Sequence, residues 1–257
     1  LRMLKRALAT SVICVFPTAC GKQSDAIVSI AVHPTNPNIL YVSTNERVYK
    51  TRDGGQSWEK FPDFSARRVT TVAVDPRLPA TVYAGTMGDA LDKSPDGGQR
   101  WLPHNVGLKE HVSYVNQFVF HPDHTETIYA ATTVGVFRTT KGLFRTKNQA
   151  ESWEHIGQSL PDQFISSLVI HPTQNQVLYV GGRAGTQKSF DGGQTWRPMN
   201  KGLETLNVRA IVMSSLDPHT LYAGTNGSGL YRSKDGAQTW TRVQLVTGPT
   251  ASGSTAS

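Results

Sequence analysis

The chain is 257 residues long yet holds only two cysteines, Cys14 and Cys20, both within its first twenty residues. Whatever folds downstream does so without a disulfide, even in an oxidising compartment. Long apolar runs are missing too: the stretch from Ala7 to Phe16 is ten residues, half of the roughly 20 that cross a bilayer as a helix. No segment sustains the 3.6-residue apolar spacing of an amphipathic helix, which excludes helical bundles. Charge is scarce and nearly balanced. The formal net charge is +7, and it falls to +4 (23 basic, 19 acidic) once Arg2, Lys5 and Arg6 are set aside with an N-terminal leader. That is too mild for a surface that neutralises a nucleic-acid backbone, so no nucleic-acid partner is expected. His33, His121 and His171 recur once per repeat unit, so they fall in separate units and do not converge as metal ligands. Neither a metal nor a cofactor is expected.

Tryptophan, by contrast, is placed on schedule. All five tryptophans close the same phrase, first seen as Thr51-Arg52-Asp53-Gly54-Gly55-Gln56-Ser57-Trp58. It returns with Asp96 and Trp101, Asn148 and Trp153, Asp191 and Trp196, and Asp235 and Trp240, the tryptophans lying 43, 52, 43 and 44 residues apart. That period belongs to bladed or stacked repeats. Tyr41, Tyr83, Tyr129, Tyr179 and Tyr222 each close a short apolar run, and a His-Pro or Asp-Pro pair precedes each of them.

One unit reads as four short strands. Val69 to Val74 is rich in β-branched residues and stops at Asp75-Pro76, where proline ends ladder pairing. Thr81 to Ala84 is a second strand, Leu91 to Ser94 a third, and Trp101 opens a fourth. The Asp-Gly-Gly between the last two is a hairpin signal, because glycine supplies the positive φ of the turn. The Asp carboxylate accepts backbone N–H groups there, and the Ser or Thr two residues earlier adds a hydroxyl. The fold class is therefore all-β: a β-propeller of four-stranded antiparallel blades, five blades from five repeats. The units run about 27–63, 64–106, 107–158, 159–202 and 203–246, within a propeller of residues 21–246.

These phrases resemble those of the Asp-box, or bacterial neuraminidase repeat, proteins, over roughly Ile27 to Val243. The resemblance implies a β-propeller with the box on the turn between third and fourth strands. It leaves function open, since sialidases, xyloglucan-type glycosidases, sortilin-like receptors and photosystem II assembly factors all carry the repeat. Five blades are few for this group, so either the ring closes with five, or the chain is a fragment or forms part of a larger ring with a partner. The third unit departs most: its box lacks the Asp and the glycines, and Gly135 to Lys141 is nearly duplicated by Gly142 to Asn148.

The first twenty residues read as an export signal: a basic start, the ten-residue apolar stretch, and Thr18-Ala19-Cys20 as a small-residue cleavage site. Cys20 followed by Gly21-Lys22 resembles a bacterial lipoprotein site, although Pro17 departs from that pattern. The expected location is the periplasm or cell surface, with Cys20 lipidated and no other membrane attachment. The tail at 247–257 is small and polar and is expected to be disordered.

Two functional classes follow. Glycosidases need paired carboxylates facing one cleft; of the 19 acids four sit in boxes and three in turns, and among the other twelve Asp89 and Asp92 stand out as catalytic candidates. Asp92 occupies the slot of Tyr49, Phe144, Gln187 and Tyr231. Convergence of Arg68, Arg183 and Arg209 on one cleft would favour a sialidase-type site. Against this class, a basic residue stands before every box: Lys50, Lys93, Arg145, Lys188 and Arg232. It is either a solvated strand position whose stem covers the sheet or a basic ring for an acidic partner. The resemblance implies such a patch for the assembly factors. The reading favoured here is a non-catalytic binding or assembly module of the cell envelope. It holds a protein partner, a membrane protein among the candidates; a carbohydrate-active hydrolase or glycan-binding propeller is the alternative.

Overall fold

The computed structural model describes residues 12–13, 26–61, 68–108, 112–124, 126–133, 142–161 and 164–244. Cys14, Cys20 and the 247–257 tail lie outside them, as does Gly135 to Lys141, the first copy of the third unit's duplicated segment. The described residues contain strands and no helix. Five antiparallel sheets, each with strands in sequence order, form five blades. Their inner strands are Ile27–Val32, Val69–Val74, Tyr114–Phe120, Ile165–Ile170 and Val208–Met213. Each is followed outward by second, third and short outer strands, as in Val82–Thr86, Ala90–Ser94 and Leu102–Pro103 of the second blade. Backbone groups of Val12–Ile13 extend the first sheet by pairing with Ile30 and Ser29.

Each inner strand carries a bulge at the same place, between residues 27 and 29, 69 and 71, 115 and 117, 165 and 167, and 208 and 210. An extra residue there re-aims its side chain. Thr70 Oγ1 donates to the Val115 carbonyl at 2.6 Å, Asn116 Nδ2 to Ile165 at 2.6 Å and Ser166 Oγ to Val208 at 2.9 Å, each reaching the next blade. Arg209 holds this position in the fifth blade.

Apolar side chains form four clusters, each shared by consecutive blades. Among the described residues the five blades form an arc, with no apolar cluster joining the fifth to the first. Inner strands show the consequence. In the second blade five of six residues are buried, whereas in the first blade Ile27, Ile30 and Val32 are 40, 42 and 44% exposed. Trp153, Trp196 and Trp240 are buried, but Trp58 is 44% exposed, since among the described residues no blade packs on its far side.

Candidate functional site: the loop rim at the fourth and fifth blades

The box turns form as the residue pattern expects. Asp53 Oδ1 accepts the Ser57 amide at 2.9 Å and the Thr51 hydroxyl at 2.6 Å, while Thr51 Oγ1 accepts the Gly55 amide at 2.9 Å. In the third blade Asn148 Oδ1 substitutes, accepting the Ser152 amide at 3.0 Å, with Gln149 and Ala150 at φ of 56° and 71°. Desolvation pushes the Asp191 carboxyl up, but the Thr195 hydroxyl and amide outweigh it and hold the group at about 2. These acids are turn acceptors.

The five basic residues are explained by register. Lys50, Lys93, Arg145, Lys188 and Arg232 lie directly across from Tyr41, Tyr83, Tyr129, Tyr179 and Tyr222 on the neighbouring strand. Four of them donate to the next blade's box turn. Lys50 Nζ reaches the Gly97 carbonyl at 3.1 Å, Lys93 the Gln149 carbonyl at 2.9 Å, Arg145 the Gly192 carbonyl at 3.2 Å and Lys188 the Gly236 carbonyl at 3.2 Å. Lys50 and Lys188 also lie over their own Tyr41 and Tyr179 rings, 5.0 and 4.8 Å from the centroids. Burial lowers the pKa of both ammonium groups. A ring of free cations does not describe these four side chains, which clamp blade to blade. Arg232 is exposed, with no further blade packed on it among the described residues. Sequence periodicity alone could not separate clamp from ring, because the acceptor is a backbone carbonyl of another unit.

Asp92 is 4% exposed, in the third strand of the second blade across from Ala84 and Pro103. Asp89 lies half-buried on the preceding turn. Among the described residues no group of three or more His, Cys, Asp or Glu could hold a metal ion. The repeated histidines are turn acceptors: His121 Nδ1 accepts the amides of Asp123 and His124 at 3.2 and 3.1 Å. His33 and His171 do the same in their blades, as Asp75 Oδ1 does in the second.

Of the loop arginines, Arg183 and Arg209 come together and Arg68 does not join them. Both guanidinium groups lie over the Phe164 ring, at 4.9 and 5.7 Å from its centroid. Arg68 begins the second blade at the position Phe164 holds in the fourth, a whole blade away. Phe164 is the residue the sequence reading missed.

The Phe164 cluster is held on braced backbone. Phe164 bridges to Thr133 of the third blade. A Cβ at Gly182 would collide with the Phe164 carbonyl, so only glycine permits that approach. The turn carrying Arg183 is tied by Gly185 N–H to the Leu206 carbonyl at 2.7 Å, and by Asn200, which accepts from Thr186 N at 2.7 Å and donates to Ala184 at 3.1 Å.

Comparison with known proteins follows this architecture. Residues 36–257 match the family described as the DUF6242 beta propeller domain. The chain belongs to that family. The xyloglucanase Xgh74A of Acetivibrio thermocellus is 24% identical over 280 residues, covering 84% of this chain and 32% of that protein. Thus the chain spans about a third or less of the length of the curated xyloglucanases it matches. Among solved structures, the GH74 enzyme of Niastella koreensis superposes with a TM-score of 0.68 at 18% identity, over 85% of this chain and 38% of that one. A structure described as YCF48 bound to D1 peptide gives 0.62 at 17% identity, over 93% and 72%. At these identities the likeness of the DUF6242 propeller to the two structures is one of fold.

Proposed function

We propose that the chain is a non-catalytic binding module, exported to the cell envelope, that presents its loop rim to a protein partner. The observation that carries this reading is the Phe164 cluster. Two guanidinium groups share one ring, and among the described residues neither has a carboxylate partner. Two cations on one ring repel unless an anion joins them, and this pair stands where the fourth and fifth blades meet, Arg183 on a turn and Arg209 in the bulge of an inner strand. A propeller of similar fold holding a peptide supports the same reading. The test is capture of a protein partner from detergent-solubilised membranes by the full chain, across a salt series. The double variant Arg183→Gln/Arg209→Gln should lose most of the captured partner; full capture by that variant would remove the rim from the reading.

A second reading is hydrolysis of xyloglucan-type glycans, favoured by the matches to xyloglucanases and by Asp92 in a slot where other blades carry aromatic side chains or Gln187. Release of reducing ends from xyloglucan oligosaccharides, abolished by Asp89→Asn or Asp92→Asn, would establish that reading and sink the non-catalytic one.

A further inference from the structure

We propose that the Phe164–Arg183–Arg209 cluster is a carboxylate-binding site of the rim, taking a peptide carboxylate flanked by a short aliphatic side chain. This rests on the binding-module reading and gives it a ligand class. The anionic half of the argument is the arginine pair. Guanidinium is the side chain that binds carboxylate bidentately, and stacking on an aromatic face leaves its N–H edge available while fixing its plane. Arg183 is exposed and Arg209 is half-buried. Each of the three residues sits on backbone held by other bonds: Phe164 by its bridge to Thr133, Arg183 by the braced turn at Gly185, and Arg209 in a bulge whose preceding carbonyl, Val208, accepts from Ser166. A site organised before its ligand arrives loses less entropy on binding.

The aliphatic half is a shallow hollow that shares Phe164 with the cluster. It is small and walled by Pro161, Ile165, Val180 and Ala184, with Gln187 as its one polar side chain, a mostly apolar lining beside two cations. Of the bulge positions, the first blade has Val28 and the next three have Thr70, Asn116 and Ser166; only the fifth carries a charge, Arg209. Thr70, Asn116 and Ser166 reach across to the next blade, whereas Arg209 lies over Phe164 instead. The combination of an oxyanion fork and an adjoining apolar hollow matches a carboxylate with an aliphatic group close by, whether at a chain end or on an acidic side chain beside a small apolar residue.

The experiment is a chemical-shift titration of the full chain with three probes. N-acetylvaline carries a chain-end carboxylate, N-acetylvalinamide carries none, and N-acetylglutamylvalinamide carries a side-chain carboxylate. At least one acid should bind at least about 10-fold more tightly than the amide, the order expected for charge-assisted hydrogen bonds, and which acid wins assigns the source. Arg183→Gln and Arg209→Gln should each cost the acid about 10-fold and leave the amide unchanged. The Lys variants should recover part of the loss, because they keep charge without the fork. An unchanged urea midpoint shows that the variants fold. Equal binding of acids and amide, undiminished binding by the double Gln variant, or no binding of any probe would each overturn the proposal. Partner capture that survives in the double Gln variant would overturn this site while leaving the binding-module reading standing. Acid binding with no partner captured would do the reverse.

Discussion

The joints inside the arc and the two faces at its ends are built from the same residues with opposite results. At the joint between the first and second blades, the Tyr41 hydroxyl and the Lys50 ammonium both donate to the Gly97 carbonyl, at 3.2 and 3.1 Å, above a cluster that includes Val48, Phe61, Val72 and Val82. On the fifth blade the matching Tyr222 is half-buried and Arg232 is exposed; on the first, Trp58 stands 44% exposed where Trp153, Trp196 and Trp240 are buried. A residue's worth in this repeat is set by the neighbouring blade more than by its own. Identical letters in the sequence therefore carry unequal energies, and the inequality is measurable.

Tryptophan truncation should separate the two regions most. Trp240, buried with its indole N–H donating to Met199 at 2.7 Å, should lose about 3–5 kcal/mol on change to Ala. Trp58→Ala should lose about half as much or less, since much of its surface is already wet. Urea unfolding of both variants checks this, and equal losses would mean that the end face is covered in solution. Next come the clamps. Lys50→Met should cost about 1–2 kcal/mol through the lost bond to Gly97, whereas Arg232→Met should stay within about 0.5 kcal/mol. Should Arg232→Met prove as costly as Lys50→Met, that guanidinium has a partner in solution.

Acid should weaken the blades whose turns use histidine. Nδ1 of His33, His121 and His171 accepts N–H groups only while unprotonated, and burial, with nearby Lys50, His124 or His219, holds each pKa below the ordinary 6.5. The unfolded chain then takes up protons first as pH falls. The stabilisation is complete above pH 6.5 and drains away below it, through the lower folded-state values. Around His121 the carboxylates of Asp123 and Glu126 oppose the shift and His124 adds to it. His121→Asp, which copies Asp75, should flatten the decline between about pH 6.5 and 5. An unaltered pH profile of the urea midpoint would show that His121 is not the sensitive group. The smallest effect is expected at the box. Asp191→Asn should change stability by under about 0.5 kcal/mol at pH 7, because Asn148 already serves the third blade. It should also remove the share of acid unfolding that sets in as the pH approaches about 2, where Asp191 titrates. Stability from this depressed carboxyl is present above its unfolded value and lost as pH falls through the folded one.

Blade number, strand order and the box turn were legible in the sequence because each depends on residues close together along the chain. Thr51, Asp53 and Ser57 satisfy one another, so the spacing displays the bond. The clamps were legible as a period but not as a purpose: Lys50 and Gly97 lie in different units, and the acceptor is a carbonyl that every residue has. The Phe164 cluster was half visible. Arg183 and Arg209 could be named from their loops, but Phe164 breaks no repeat rule and gives no signal until the blades are stacked. Asn148 shows the converse, a box that looks decayed in letters and is intact in bonds.

Among the described residues the clamps and the apolar clusters each span only one pair of neighbouring blades, so these blades are coupled as a zipper rather than a hoop. The second to fourth blades are held on two sides and the first and fifth, among the described residues, on one. Denaturation should then advance stepwise from the extremities, with amide exchange fastest in the first and fifth blades and slowest in the third.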